Sequence, residues 1–207
     1  MAKITEKEQL IFDIAKIEWE MFQQVHNTEG RASCQDDPDT FFRMRMSQWM
    51  VYSKRLLYSY KEDCEQAMNA GKNLVFEKYA KMMETTYPEE YMAVKEYLPE
   101  KTIEEKEIIE KIIAIHIKWD QEVMEMYPNV RGRGRTFRTE EDNVITGSSM
   151  ESYLRAEAGT YSWKTLQLLY RETKEAYKTG NNLLQQIVAN ETAFYGYESL
   201  EAAESKM

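Results

Sequence analysis

The chain has 207 residues, 43% of them hydrophobic and 30% charged, with a formal net charge of -9. That length suits one domain with a sizeable core built without disulfides or metal. The acidic balance speaks against non-specific binding to nucleic acid or to an anionic membrane. No stretch nears the roughly 18 apolar residues needed to cross a bilayer. MAKITEKEQLIF has neither the apolar run nor the cleavage site of a signal peptide, so the cytoplasm is the expected location and Cys34 and Cys64 are expected to be free thiols.

Apolar residues repeat at helical spacing from end to end, and no alternating strand pattern stands out. A capping box, Thr5 with Glu8, opens a helix that reaches about His26. Asp37-Pro38 starts a second, expected to continue to Ala70-Gly71 with a bend near Ser59. Asn73 to Thr86 forms a third, and a short one runs from Pro88 to Tyr97. Thr102 with Glu105 is a second capping box and opens a long helix closed by Pro128. Residues 127 to 147 read as a long loop, a kind of segment that inside a compact domain usually carries function or is disordered. A further long helix is expected from Ser148 or Ser149 to Gly180, then a last one from Asn182 to Tyr195. Residues 198–207 read as a weakly ordered tail. The sum is an all-α, bundle-like single domain (1–197) of six or seven helices, with Trp19, Trp49, Trp119 and Trp163 expected in its core.

Metal chemistry finds little support. His26 and His116 are the only histidines, and neither has a glutamate three residues before it, so the paired E-x-x-H pattern of di-iron bundles is missing. No zinc spacing is visible and no cofactor loop is present. His116 lies between Ile112 and Trp119 on an apolar stripe. It reads as a core histidine or as a pocket acid/base.

Two carboxylates stand where apolar residues belong. Met150, Leu154, Glu157, Tyr161 and Leu168 share one helical stripe, and Ile11, Ile14, Glu18, Met21 and Val25 share another. A buried carboxylate must be paired or protonated. Arg155, the loop arginines, Arg43 and Arg45 are the available partners. Glu157 and Glu18 are therefore either halves of structural ion pairs or acid/base groups. Gly159, inside the expected helix, marks either close packing or a ligand's approach. Cys34, in the polar segment RASCQDD, has Arg31 three residues away and is a candidate nucleophile.

Arg131, Arg133, Arg135 and Arg138 crowd the glycine-broken segment RGRGRTFR, an exception to the acidic trend. Guanidinium groups grip carboxylate or phosphate through two parallel bonds, and a helix starting near Ser148 adds free N–H groups. The segment is an anion site, a clamp on the protein's own glutamates, or a contact for nucleic acid or another acidic macromolecule.

The segments RASCQDD with FFRMRMSQ, NLVFEKYAKMMETTYP, RGRGR and SSMESYLRAEAGTYSWKTLQLLY resemble an uncharacterised bacterial family of about 200 residues, a domain of unknown function. The likeness spans nearly the whole chain. It implies shared motifs at 31–35, 78–83, 131–135 and 153–161, with glycine expected where this chain has Ala156. It brings no known activity, cofactor or catalytic residue.

Together these readings point to a small-molecule enzyme of lyase, isomerase or hydrolase type, without a cofactor or metal. Glu157, Tyr161, Cys34, Glu18 and His116 are its catalytic candidates. Arg135, Arg155, Arg133, Tyr153, Lys78, Tyr79 and Arg45 are the candidates for holding an anionic, carboxylate-bearing metabolite. The other reading is a non-catalytic helical module that binds a protein partner or senses a metabolite. Gathering of Arg135, Arg155, Glu157, Tyr161 and Cys34 in one concave pocket would favour the enzyme, and their scatter over separate surfaces would sink it.

Overall fold

The computed structural model describes residues 4–26, 30–136, 138 and 148–207. Eleven α-helices lie among the described residues, and the fold is all-α. They are α1 (Glu6–Gln23), α2 (Pro38–Met50), α3 (Lys54–Asn69), α4 (Leu74–Thr86), α5 (Pro88–Val94), α6 (Ile103–Met126), α7 (Pro128–Arg131), α8 (Met150–Ala158), α9 (Trp163–Lys178), α10 (Leu183–Phe194) and α11 (Leu200–Glu204). Both capping boxes form as the sequence implies, and Asp37 caps α2 by accepting from the Thr40 N–H.

The count exceeds six or seven because short polar signals break the expected long helices. Ser53, not Ser59, divides the second: it caps α3, while its N–H and hydroxyl are held by Glu172. The expected helix from 148 to 180 stops at Gly159 and restarts at Ser162, whose hydroxyl caps α9. A Cβ on Gly159 would sit 3.2 Å from a Lys81 side-chain carbon, so the glycine serves close packing of α8 on α4. Trp163 therefore falls on the first turn of α9 and is exposed rather than in the core.

The chain uses one device twice. Gly71 (φ 70°) and Gly180 (φ 71°) end α3 and α9 in the left-handed conformation that glycine adopts without strain. The next N–H bonds back to Ala67 or Ala176 at 2.8 Å. Asn73 and Asn182 then cap α4 and α10, and their amide NH2 groups tie those corners to Met21 O and Trp119 O.

Helices α1, α2, α10, α6, α9 and α3 pack each against the next in a closed ring, and α4 and α8 bridge α1 to α6 across one side. Ile14, Leu56, Leu57, Ile112, Val123 and Leu166 fill the interior. Residues 198–207 are not a loose tail. Leu200 and Ala203 of α11 are buried, and the Glu204 carboxylate accepts the N–H groups of Asn129 and Val130 at 2.9 and 2.8 Å, closing the start of α7. The expected loop at 127–147 begins as helix α7, and residues 137 and 139–147 lie outside the described residues.

Candidate functional site

Four charged side chains meet inside the protein where α1, α2, α4 and α8 converge. Glu18, Arg45, Lys78 and Glu157 are 1%, 5%, 6% and 2% exposed. The apolar stripes of α1 and α8 carry the two carboxylates inward, and α2 and α4 supply the cations.

Arg45 is the hub, and its five N–H groups are all in use. Its Nε donates to Glu18 Oε2 at 2.8 Å and its Nη2 reaches Glu18 Oε1 and Glu157 Oε1, the latter at 2.7 Å. Its Nη1 donates to Gln48 Oε1 at 2.7 Å and to Tyr153 Oη at 3.4 Å. Burial works against the guanidinium's charge, but Glu157 and Glu18 outweigh it and hold its pKa well above the ordinary value. Glu18 is equally committed. Besides Arg45 it accepts from Trp49 Nε1 at 3.2 Å and Tyr60 Oη at 2.9 Å, which fills its four lone-pair directions.

Glu157 and Lys78 are less fully engaged. Glu157 accepts from Arg45 and, through Oε2, from Gln48 Nε2 at 3.0 Å, which among the described residues leaves lone pairs free on both oxygens. Burial raises its pKa, but Arg45 and Lys78 outweigh that and leave it below the ordinary carboxylate value. Lys78 donates to Tyr153 Oη at 2.8 Å and lies 3.8 Å from Glu157 Oε1. Among the described residues it has no second hydrogen bond. Its ammonium rests instead against the rings of Tyr153 (4.4 Å) and Tyr79 (5.2 Å). Burial lowers its pKa, yet Tyr153 and Glu157 override this and hold it above the ordinary value, so Lys78 stays an ammonium donor and is no free-amine nucleophile. Tyr153 and Gln48, both partly exposed, are the cluster's outer members.

The remaining candidates lie elsewhere. Arg155 faces α6, where it grips both Glu110 oxygens at 2.7 and 2.9 Å and takes Glu151 at 2.9 Å. This is a clamp on the protein's own glutamates, and Arg155 is not the partner of Glu157. Arg131, one of the loop arginines, is buried against Asp120 and Arg135 O. Arg133 donates to Met207 O and Arg135 to Ser148 Oγ, both at 2.9 Å, and both side chains are exposed. Cys34 sits exposed on a 3-10 turn, near enough to Tyr79 to influence it electrostatically. Arg31 is turned away from that thiol toward Asp36 and Gln35. Tyr79 packs against Phe22 with ring centres 5.8 Å apart. Tyr161 is buried edge-on to Tyr60, and burial, then Glu157, pushes its pKa well up. It also floors a cavity of about 240 Å³ shared with Asp63, Thr160 and Ser162. His116 is a core residue: it packs edge-on to Trp119, its Nε2 has no partner among the described residues, and burial lowers its pKa to about 4. Arg135, Arg155, Glu157, Tyr161 and Cys34 thus do not gather in one pocket, and the enzyme site expected from those five residues is overturned.

Sequence reading missed Gln48, Trp49 and Tyr60 as parts of the cluster. Gln48 carried a signal, since it stands three residues after Arg45 on one helix and so shares its face. Among the described residues no group of three or more His, Cys, Asp or Glu side chains could hold a metal ion, and no helix is long and apolar enough to cross a membrane.

A helical ring with a charge cluster closed inside it is the class of protein these features define. The chain belongs to the family described as "Protein of unknown function (DUF4125)", whose model matches residues 8–205. No curated protein and no solved structure matches the chain.

Proposed function

We propose that the protein is a small-molecule enzyme, of lyase, isomerase or hydrolase type, acting on an anionic, carboxylate-bearing metabolite at the cluster's Lys78 corner. The observation that carries this reading is the contrast between the two buried cations. Among the described residues Arg45 spends every donor on the protein, whereas Lys78 keeps N–H groups unspent beside a carboxylate with free lone pairs. A buried ammonium left short of acceptors is costly unless something else supplies them. A ligand oxygen does so. Tyr153 adds to this corner. Both of its lone pairs accept from cations, and among the described residues its own O–H has no acceptor and can donate outward. In this reading Lys78 and Tyr153 hold the ligand, Glu157 is the acid/base, and Arg45, Gln48 and Glu18 position it. A net charge of -9 and an exposed free Cys34 fit a cytoplasmic protein that does not handle nucleic acid.

A thermal-shift screen with small carboxylates and phosphates tests it, using wild type, Lys78→Met and Arg155→Ala. A ligand at 100 times its Kd stabilises by about 2.7 kcal/mol. The expected result is a shift lost in Lys78→Met and kept in Arg155→Ala. A shift lost only in Arg155→Ala would return the site to the arginines. No shift in any protein would favour the other reading, a helical module that binds a protein partner.

A further inference from the structure

The reading just proposed leaves open which ligand oxygen meets Lys78 and what reaction follows; the inference here rests on that reading and narrows it. Within the cluster, Glu18 and Glu157 balance Arg45 and Lys78, so the buried site is electrically neutral before a ligand arrives. Placing a carboxylate on Lys78 would leave an uncompensated negative charge in a region whose charged members are all at least nine-tenths buried. A carbonyl oxygen adds none. It accepts from Lys78 Nζ and the Tyr153 hydroxyl together, the convergent-donor geometry that stabilises a developing oxyanion. The Glu157 carboxylate stands 3.8 Å from that same ammonium with lone pairs unspent.

We infer that the site enolises its substrate: Lys78 and Tyr153 bind a carbonyl oxygen, and Glu157 removes a proton from the adjacent carbon. The C–H bond breaks and the proton passes to a Glu157 oxygen. The freed electron pair becomes the C=C bond, and the carbonyl π pair moves onto oxygen as an enolate held by Lys78 and Tyr153. One negative charge shifts from Glu157 to the enolate oxygen, and the total charge of the buried site does not change. Arg45 and Gln48 hold Glu157 ionised and aimed beforehand. Returning the proton to the other carbon of an enediolate, or expelling a β-substituent, gives an isomerase or a lyase. Hydrolysis, which calls for an attacking water, is disfavoured. The metabolite's carboxylate lies on another part of the molecule.

The experiment is hydrogen–deuterium exchange at the carbon next to the carbonyl, followed by proton NMR in D2O. The probes are pyruvate, 2-oxobutyrate and 2-oxoglutarate, with acetate and succinate as controls that lack a ketone and thermal shift as the binding readout. Wild type should accelerate exchange of at least one oxo acid. Glu157→Gln should lower that acceleration 100-fold or more while the same oxo acid still shifts its melting. Tyr153→Phe, which keeps the ring against Lys78 and loses the hydroxyl, should lose 10-fold or more in rate, with the melting temperature of the free variant as the check on its folding. Lys78-dependent binding of an oxo acid with no exchange above the Glu157→Gln level would overturn enolisation and leave the binding site standing. Binding of acetate or succinate alone would overturn the carbonyl assignment. No binding and no exchange with any probe would overturn both this inference and the reading beneath it.

Discussion

Arg45 and Lys78 are buried cations beside the same carboxylate, yet their neighbours give them different work. Arg45 joins Glu18, Gln48, Tyr153 and Glu157, so its removal strands two buried carboxylates at once. Arg45→Met should cost about 3–5 kcal/mol in urea unfolding, the usual loss when one partner of a buried ion pair is deleted. Titratable residues away from the cluster shape pH behaviour. His116 is held neutral by burial, with its pKa lowered to about 4 from an ordinary 6.5. The unfolded chain therefore binds a proton below pH 6.5 that the folded chain refuses, and this contribution to stability is lost as pH falls from 6.5 toward 4, by about 3 kcal/mol in all. Glu191 works the other way. Burial raises its pKa to about 7, with Arg131 opposing, so the folded chain keeps a proton that the unfolded chain releases, and stability falls as pH rises from about 4.5 to 7. The two windows overlap with opposite sign and largely cancel in wild type. Measured by urea unfolding from pH 4 to 7, Glu191→Gln should gain stability with rising pH relative to wild type, and His116→Leu should lose it. Parallel curves for all three proteins would contradict the assignment. Glu18 and Glu157 were legible in the sequence because a carboxylate on an apolar stripe is carried into the interior, where it must find a cation or a proton. Their partner was not: Arg43, Arg45, Arg155 and the loop arginines were all available, and only the folded chain brings Arg45 to both carboxylates.

At the level of elements, caps and corners decide where each helix ends. Asn182 caps α10 through its Oδ1 and binds Trp119 O and Glu122 Oε2 through its Nδ2. Asn182→Asp keeps the cap acceptor, loses both donor bonds and sets a charge beside Glu122. It should cost about 2 kcal/mol by thermal unfolding, whereas Asn182→Ser, still a cap but with a single donor, should cost about half as much. Elements with strong end signals were readable from sequence, as Thr5, Asp37, Asn73, Thr102 and Asn182 all begin helices where their chemistry predicts. The stretch from 148 to 180 was not. Gly159 read as a mark of close packing or of a ligand's approach within one continuous helix, while Gly159 and Ser162 together are a stop and a start. The same misreading placed Trp163 in the core.

Over the whole molecule, the ring α1–α2–α10–α6–α9–α3 makes the core continuous, and α4 with α8 closes the charged cluster against it. The segment after Glu198 belongs to this assembly through Leu200, Ala203 and the Glu204 cap on α7. Deleting residues 199–207 should cost about 2–3 kcal/mol and lower Tm by roughly 5–10 °C, and an unchanged Tm would count against that docking. The sequence could not reveal this contact because LEAAE is too short and too charged to announce a buried face, and its partner lies some seventy residues earlier. It also pointed to the arginine segment as the site for the same reason. Charge density is visible in one dimension, but whether an arginine is already spent on Glu110 or Asp120 is a fact of packing. The measurement that tests the central claim most directly is the unfolding free energy of Lys78→Met beside that of Arg45→Met. If Lys78 is held for a ligand rather than for the fold, Lys78→Met should cost clearly less than Arg45→Met, about 1–2 kcal/mol, because Glu157 keeps its bonds to Arg45 and Gln48 and can take up a proton to restore neutrality. A loss of about 3–5 kcal/mol, matching Arg45→Met, would make Lys78 part of the structural lock and contradict the site.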